Sequence, residues 1–326
     1  MKRLAPFMLL ALLAALPWLA PALGLDYYVV FMCRLVVTML LATSLNLLAG
    51  FGGLVALGHA GFAGVGAYAM AALAQAGVAT AGLLWAGGAA AAAIAALLVG
   101  AVCLRTQGVY FLMITLAFAQ MLYYLAVALR DFGGDDGYTL VVKPLLGFGL
   151  DSSSQTALYL AVLALCASVF AFLYRLIDSR FGKALTGMRD NEPRMRALGY
   201  PTQALRLQAF VLTAAVAGLC GAMTLTINGF VSPSGMHWSQ SAILIVMIVL
   251  GGLGHRWGGV LGALAWTCLE ETLSQFTPHW HLPMGGLVIA IVLLAPRGLG
   301  PLFAWRGNAA LGAAGAPEAP EAPAAR

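Results

Sequence analysis

Three ionisable residues lie inside long apolar runs of this sequence, where a charge is costly. Arg34 lies in the apolar segment 27–49, and Glu270 and Glu271 lie in the apolar segment 257–276. Each residue is in the half of its segment that is predicted to face outward. Such residues are functional candidates with a partner by default. Their matching depths predict an Arg34–Glu270 or Arg34–Glu271 ion pair, with a snorkelling arginine and interfacial glutamates as the alternative. The absence of a chain of such carboxylates in the sequence weakens the case for a proton-coupled carrier.

The stretch GFGGLVALGHAGFAGVGAYA, residues 50–69, places helix-weakening glycines inside an apolar region. Glycine in lipid either lets two helices approach closely or lets a helix break where protein or water satisfies the freed backbone. The first glycines are clustered, which favours a break, and the later ones recur every three residues, which favours a close-packed face. We expect a connection at 46–53 and a tightly packed helix along a transport path at 54–69. Plain helix packing with no path is the alternative.

Three roles are open to His59, which lies within this stretch: a proton relay, a metal ligand or a packing histidine. A metal site needs several converging ligands. The other histidines lie near loops that the topology below divides between two faces: His237, His255, His279 and His281. We therefore expect no metal site, and we assign His59 a helix-end hydrogen bond near the cytoplasmic boundary.

The composition indicates that most of the chain lies within a lipid membrane. Hydrophobic residues make up 62% of the 326 residues, charged residues only 9%, and the mean hydropathy is +0.91. A soluble domain carries about a quarter charged residues. The basic residues form no continuous patch, which excludes a nucleic-acid-binding surface. The five cysteines argue against a disulfide framework and are expected to be small core residues: Cys33, Cys103, Cys166, Cys220 and Cys268.

The elements that must position these residues are membrane-spanning helices of about 20 residues. The sequence predicts an all-α polytopic bundle of about ten spans, or eight to ten if a short segment does not cross. The candidate segments are 4–23, 27–49, 54–76, 82–104, 109–129, 155–176, 207–228, 239–254, 257–276 and 283–296. We expect residues 1–306 to form the membrane domain and 307–326 to form a disordered Ala/Pro-rich tail. Segment 4–23 is expected to be an uncleaved first span, with a secretory signal as the alternative.

Basic residues set the orientation, because short cytoplasmic loops carry an excess of them. The connector 177–206 carries six basic residues, and the loop 130–154 is acidic. With both termini inside, ten spans place every basic cluster on the cytoplasmic side. The connector also predicts a short helix at about 193–198, with Asn191 as its cap and Gly199 at its end. Such a helix would transmit the movement of a soluble motor subunit to the membrane domain. The alternative is that the arginines only set the orientation of the chain in the membrane.

The sequence contains no phosphate-binding motif of the kind that an ATP-hydrolysing motor needs. A phosphate-binding loop needs Gly-x-x-x-x-Gly-Lys-Ser/Thr, and Gly182-Lys183 is followed by Ala184 without the upstream glycine. An enzyme is disfavoured, since the only nucleophile-like stretch, SPSGMH at 232–237, is a routine turn sequence. Energy must therefore come from an ion gradient or from another subunit.

One sequence pattern occurs twice. Leu57-Gly58-His59 followed by Gly66-Ala67 returns with the same spacing as Leu253-Gly254-His255 followed by Gly262-Ala263. Paired glycine-interrupted segments are typical of transporters that arose by duplication, and they point to the transport path. Chance similarity between glycine-rich helices is the other explanation.

Four motifs in order resemble the LivM-type permeases of branched-chain amino acid ABC importers. They are SLNLLAGFGGLVALGHAGFAGVGAYA, RTQGVYFLMITLAFAQ, SRFGKALTGMRDNEPRMRALGY, and VLGGLGHRWGGVLGALAWTCLEE with LLAPRGL. The resemblance implies a multi-pass permease of the bacterial inner membrane and no enzyme activity. It implies a second, LivH-like permease, two cytoplasmic ATPase subunits that bind the ATP, and a periplasmic substrate-binding protein. No cofactor is expected in this chain.

The resemblance also assigns roles to residues. Coupling to the ATPase would fall to Arg189, Asn191, Glu192, Ala197, Leu198, Gly199 and Tyr200. The translocation path would be formed by Asn46, Gly50, Gly52, Gly53, His59, Gly61 and Gly64. The implied cargo is leucine, isoleucine and valine. An ABC permease for urea, short amides or other amino acids and a gradient-driven secondary carrier are the alternatives.

Overall fold

The computed structural model describes residues 26–140, 144–145, 155–276, 279–294 and 298–299. This part of the chain is almost wholly helical. Its α-helices are α1 (Asp26–Asn46), α2 (His59–Gln75), α3 (Ala81–Cys103), α4 (Val109–Ala128), α5 (Gln155–Asp178), α6 (Arg180–Asp190), α7 (Glu192–Ala197), α8 (Thr202–Asn228), α9 (Trp238–Gly251), α10 (Gly258–Phe276) and α11 (His281–Leu294). The shorter elements are a π-helix (Leu47–Phe51), 3-10 helices (Arg130–Phe132, Gly134–Asp136 and Pro233–Met236) and strands β1 (Tyr138–Thr139) and β2 (Phe230–Val231).

The nine predicted spans that fall within these residues each coincide with a helix. Among the described residues, five helices are long and apolar enough to cross a membrane: α1 with its π-helical end, α3, α4, α5 and α8. The all-α polytopic class is therefore confirmed. Segment 4–23 and the tail 307–326 lie outside the described residues. The count of ten spans and the cytoplasmic termini stay predictions.

The connecting segments collect at two opposite ends of the bundle. At one end Gln107 donates to Glu192 at 3.2 Å, and Arg256 pairs with Asp178 at 3.0 Å. At the other end β1 pairs antiparallel with β2. Each contact joins segments that the distribution of basic residues places on the same side, so the predicted alternation fits the structure.

Small residues let three central helices pack closely. A Cβ at Gly66 on α2 would overlap the backbone of Gly218 on α8, and one at Gly88 on α3 would lie 2.7 Å from the Gly66 carbonyl oxygen. Between membrane helices, close packing of this kind replaces the hydrophobic driving force that lipid removes. A second group of helices, α9 and α10, packs against the inner half of α1 around Ala42, Leu45 and Ile248.

Two helix starts, one connection and one helix count differ from the predictions. The connection expected at 46–53 lies at 52–58, because Leu47–Phe51 continues α1 as a π-helix. Helix α2 begins at His59 rather than at 54, because the Leu57 amide donates to Thr115 Oγ1 on α4 instead of to a helical carbonyl. Helix α8 begins at Thr202, before the predicted 207. The connector 177–206 holds two helices, α6 and α7, where one was predicted. The α7 bounds agree with the prediction: the Asn191 side chain caps it, and Gly199 has a φ of +83°.

The cysteine prediction is right at four positions and wrong at the fifth. Cys33, Cys103, Cys166 and Cys220 are buried, but Cys268 is exposed. The buried face of α10 includes Ala263, and five residues further on a helix has turned about 140° beyond a full circle. Cys268 therefore points away from the bundle.

Candidate functional site

Two breaks in the helices meet at the predicted cytoplasmic end. The first break, 52–58, separates the π-helix after α1 from α2, and the second, 252–257, separates α9 from α10. Asn46, the last residue of α1, binds the second break, because its Nδ2 donates to the His255 carbonyl at 2.9 Å and its Oδ1 accepts from the Gly254 amide at 3.0 Å. The first copy of the repeated Leu-Gly-His sequence, 57–59, lies at the start of α2, and the second copy, 253–255, lies within the second break, where Asn46 binds it.

Arg189 reaches this contact from the connector. It lies at the end of α6, and its Nη1 donates to the Gly50 carbonyl at 2.6 Å. Its Nε and Nη2 bond to the carboxylate of Asp190, the next residue. We call Asn46, Gly50, Gly53, Arg189 and Gly254 the glycine junction. Arg189, predicted to couple to the ATPase, and three of the predicted path residues thus form one cluster.

Two glycines of the junction make room for the arginine. Gly53 and Gly254 have φ values of +68° and +73°, which side-chain-bearing residues rarely adopt. A Cβ on Gly53 would lie 2.7 Å from Arg189 Cγ, and one on Gly254 would lie 3.0 Å from Arg189 Nη1. Conformation and space both require glycine here. Gly52 packs instead toward Leu185 of α6.

His59 is the first residue of α2 and is buried. Its Nε2 lies 2.8 Å from Ser44 Oγ on α1, so the structure places a hydrogen bond at a helix end, as expected for this residue. The next residue, Ala60, donates its amide to Ser241 Oγ on α9 at 3.0 Å. Polar side chains from neighbouring helices therefore satisfy the backbone where α2 begins inside the bundle.

A cavity of about 600 Å³ lies between α1, α2, α8, α9 and α10. It reaches from Ala60, in the first turn of α2, to the connection at 230–236 and to Trp280, at the end opposite the glycine junction. Its polar lining is Arg34, Thr38, Thr224, Ser232, Gln240, Thr267, Glu270, Glu271, Ser274 and His281. We call it the polar cavity. Gly64 lines it, whereas Gly61 packs on Leu122 of α4.

The residues of the predicted ion pair, Arg34 with Glu270 or Glu271, all line this cavity. Arg34 Nε donates to Asn228 Oδ1 at 2.9 Å, and Glu270 Oε2 accepts from Trp266 Nε1 at 3.1 Å. Arg34 and Glu270 are thus each held by a neutral neighbour, of which Trp266 also lines the cavity. The direct pairing of Arg34 with a glutamate stays a prediction.

Glu192 has an internal set of partners. Its carboxylate accepts from Arg196 on α7, Arg206 on α8 and Gln107 in the α3–α4 connection, and its side chain is only 13% exposed. It therefore fixes α7 against the end of the bundle. The other predicted coupling residues near it are exposed: Asn191, Ala197, Leu198, Gly199 and Tyr200.

Several residues of the site escaped the sequence reasoning. Ser44, Thr115 and Ser241 are ordinary polar residues in apolar runs, and only the fold shows that they bond to the start of α2. Arg206 could have been singled out from the sequence, because an arginine at the start of a long apolar helix must either pair with an acidic residue or lie at the membrane–water interface. The link from Arg189 to Gly50 spans 139 residues and left no local trace.

Comparison with known proteins places this architecture in a family. Residues 27–295 match the family described as the branched-chain amino acid transport system / permease component. The chain belongs to this family. It is a multi-pass membrane protein and a transport permease component.

Two relatives are similar over most of their length. The high-affinity branched-chain amino acid transport system permease protein LivM of Escherichia coli strain K12 is 30% identical over 287 residues, covering 81% of this chain and 67% of the relative. Its namesake in Salmonella typhimurium is 29% identical with the same coverage. An autoinducer 2 import system permease protein, LsrC of Escherichia coli, is 31% identical over 126 residues, 36% of this chain and 37% of the relative. No solved structure matches.

Proposed function

We propose that this chain is a permease subunit of a bacterial inner-membrane ABC importer for leucine, isoleucine and valine. The observation that carries the proposal is the family match along residues 27–295, together with the similarity to two LivM relatives, 67% of whose length is covered by the match. A second, LivH-like permease, two ATPase subunits that bind ATP and a periplasmic substrate-binding protein complete the assembly. The chain itself supplies the path and the surface on which a motor acts.

The proposed coupling runs through named contacts. Closure of the ATPase subunits on ATP moves α6 and α7, which Glu192 holds to the start of α8. Arg189 passes this movement to the Gly50 carbonyl, and Asn46 passes it on to the 252–257 break. Because the breaks are short non-helical segments between rigid helices, they are the places where the bundle can change its angles. The two helix groups then open the polar cavity alternately to the two sides.

A different cargo is the second candidate, because one relative is named for autoinducer 2 import. Urea and short amides belong to the same alternative. The polar cavity favours an amino acid, since its lining includes charged groups of both signs, with which a zwitterion can pair and an uncharged cargo cannot.

Uptake by the reconstituted assembly tests the function. Proteoliposomes would hold this chain with its genomically adjacent permease and ATPases, and they would receive the binding protein and labelled leucine or urea. We expect leucine uptake that requires ATP and the binding protein and that resists an ionophore. Uptake of urea without leucine would overturn the cargo. Gradient-driven uptake by this chain alone would overturn the ABC assignment.

A further inference from the structure

We propose that the polar cavity is a binding site for a zwitterionic amino acid with an aliphatic side chain. Arg34 binds the α-carboxylate and Glu270 binds the α-ammonium group. The inference rests on the proposed function and adds to it a cargo site inside the permease, so that selectivity is not left to the binding protein alone.

The two charged groups lie at similar depth. Helices α1 and α10 are adjacent and antiparallel, and Gly259 packs against Thr43, where a Cβ would lie 2.6 Å from the Thr43 Cα. Eleven residues outward from this contact lie Met32 on α1 and Glu270 on α10. Since a helix rises about 1.5 Å per residue, Arg34 and Glu270 differ in depth by about 3 Å. Both line the same cavity.

Arg34 is prepared to bind a carboxylate. Its Nε donates to Asn228 Oδ1, which fixes the plane of the guanidinium group. A guanidinium group has five N–H donors, so this bond uses one and leaves the terminal nitrogens for a ligand. Arginine binds carboxylates through two parallel hydrogen bonds, which orient the ligand as well as hold it. The side chain is exposed to the cavity.

Glu270 is held in a similar way. Its Oε2 accepts from Trp266 Nε1, which leaves acceptor capacity on the carboxylate for an ammonium group. A cation and a carboxylate inside a membrane protein are costly unless each meets an opposite charge. A zwitterion supplies both counter-charges at once, whereas a neutral solute, a simple acid or a simple amine supplies one or none.

The remaining wall suits an aliphatic side chain. Leu41 of α1, Ala63 and Ala67 of α2, and Leu244 and Met247 of α9 line the cavity beside the two charged groups. Its volume of about 600 Å³ lies within the range of small-molecule sites, about 300–1,000 Å³. Methionine has three rotatable side-chain bonds and adapts to ligand side chains of different branching. The site therefore selects the charged backbone of an amino acid more strictly than its apolar side chain.

Direct binding tests the site without the binding protein. The purified assembly of permeases and ATPases would be titrated with tritiated leucine in a scintillation proximity assay. The competitors are unlabelled leucine, 4-methylpentanoate, which lacks the amino group, and 3-methylbutylamine, which lacks the carboxylate. We expect leucine alone to compete well, with each analogue at least about tenfold weaker, because one charge-assisted interaction is lost.

Paired variants locate the binding. We expect Arg34→Gln and Glu270→Gln each to weaken leucine binding at least about tenfold, and Arg34→Lys to weaken it less. The matched controls are Arg256→Gln and Asp178→Asn, which remove one cation and one carboxylate from an exposed ion pair outside the cavity. These controls are expected to bind leucine as the native assembly does. Gel filtration of every variant separates lost binding from lost assembly.

The outcomes distinguish the site from the function. If the native assembly takes up leucine with ATP but the two glutamine variants bind leucine normally, the site is overturned and the function stands. Equal competition by either analogue also overturns the site. If the native assembly neither takes up nor binds leucine, the proposed function fails and the site fails with it.

Discussion

At the scale of single residues, Arg189 connects the two parts of the molecule that a coupled transporter must join. It belongs to α6, outside the membrane bundle, yet its guanidinium group contacts the backbone between α1 and α2. A carbonyl in a π-helical turn is a ready acceptor, because the irregular turn disturbs the regular ladder of helix hydrogen bonds. The contact places a charged donor where backbone geometry is most able to change.

We expect Arg189→Ala to uncouple transport from ATP hydrolysis. A hydrogen bond from a charged donor contributes about 1.5–3 kcal/mol, and the 39% exposure of this side chain reduces that to about 1 kcal/mol. Leucine uptake per ATP hydrolysed should fall about fivefold, with ATP hydrolysis largely kept. Arg189→Lys should lose less, and Lys183→Ala, an exposed cation on the same helix, should behave as native. An unchanged ratio in Arg189→Ala would remove this contact from the coupling route.

The residue scale also shows what the sequence could reveal about the site. Asn46 and the glycines from Gly50 to Gly53 were predicted from the family pattern, and the repeated Leu-Gly-His pointed to the segment that Asn46 binds. What each side chain touches could not be predicted, because the partners lie far away in sequence. Arg34 shows this limit: its depth predicted a glutamate partner, and its described hydrogen bond goes to Asn228.

At the scale of elements, the cytoplasmic connector was the hardest part to predict. Long apolar runs predict helices by composition alone, and nine predicted segments coincide with described helices. Helix α6 has no such run. Its buried residues Ala184, Leu185 and Met188 form a narrow stripe among glycines and charges, and Ser179 caps its start. The stripe and the cap are visible in the sequence, but they are too short to decide between helix and loop.

We expect the exposed apolar residues after α7 to dock on an ATPase subunit. Leu198 and Tyr200 are 65% and 46% exposed at the end predicted to be cytoplasmic, where lipid does not cover them. Leu198→Asp or Tyr200→Asp should each weaken association with the ATPase subunits about tenfold, as loss of a buried apolar anchor does. Microscale thermophoresis of the permease pair against the ATPase measures this. Gln203→Asp, an exposed site on the adjoining helix, is the matched control.

A variant at Glu192 distinguishes docking on the ATPase from the internal stability of the same part of the molecule. Because its carboxylate bonds to Arg196 and Arg206, Glu192→Gln should lower the melting temperature of the permease pair. The aspartate variants at 198 and 200 should leave that temperature unchanged. Weak ATPase binding accompanied by equal loss of stability in all three variants would contradict a docking surface.

At the scale of the whole molecule, the fold sorts its connections into two ends, and the two candidate sites occupy opposite ends. The glycine junction and the α6–α7 pair lie at one end, and the polar cavity extends to the other. This arrangement suits a permease that receives its cargo on one face and its driving force on the other. The orientation of the two ends follows from the basic connector 177–206 and the acidic loop after α4.

Single cysteines test this orientation. We would replace Cys268, the exposed native cysteine, with serine and introduce Asp135→Cys or Lys183→Cys at exposed positions on the two predicted sides. A membrane-impermeant maleimide should label position 135 in intact spheroplasts and position 183 only after permeabilisation. The Cys268→Ser parent, whose other cysteines are buried, sets the background. The reverse labelling would invert the molecule, place α6 and α7 away from any cytoplasmic ATPase, and overturn both the predicted topology and the coupling route through Arg189.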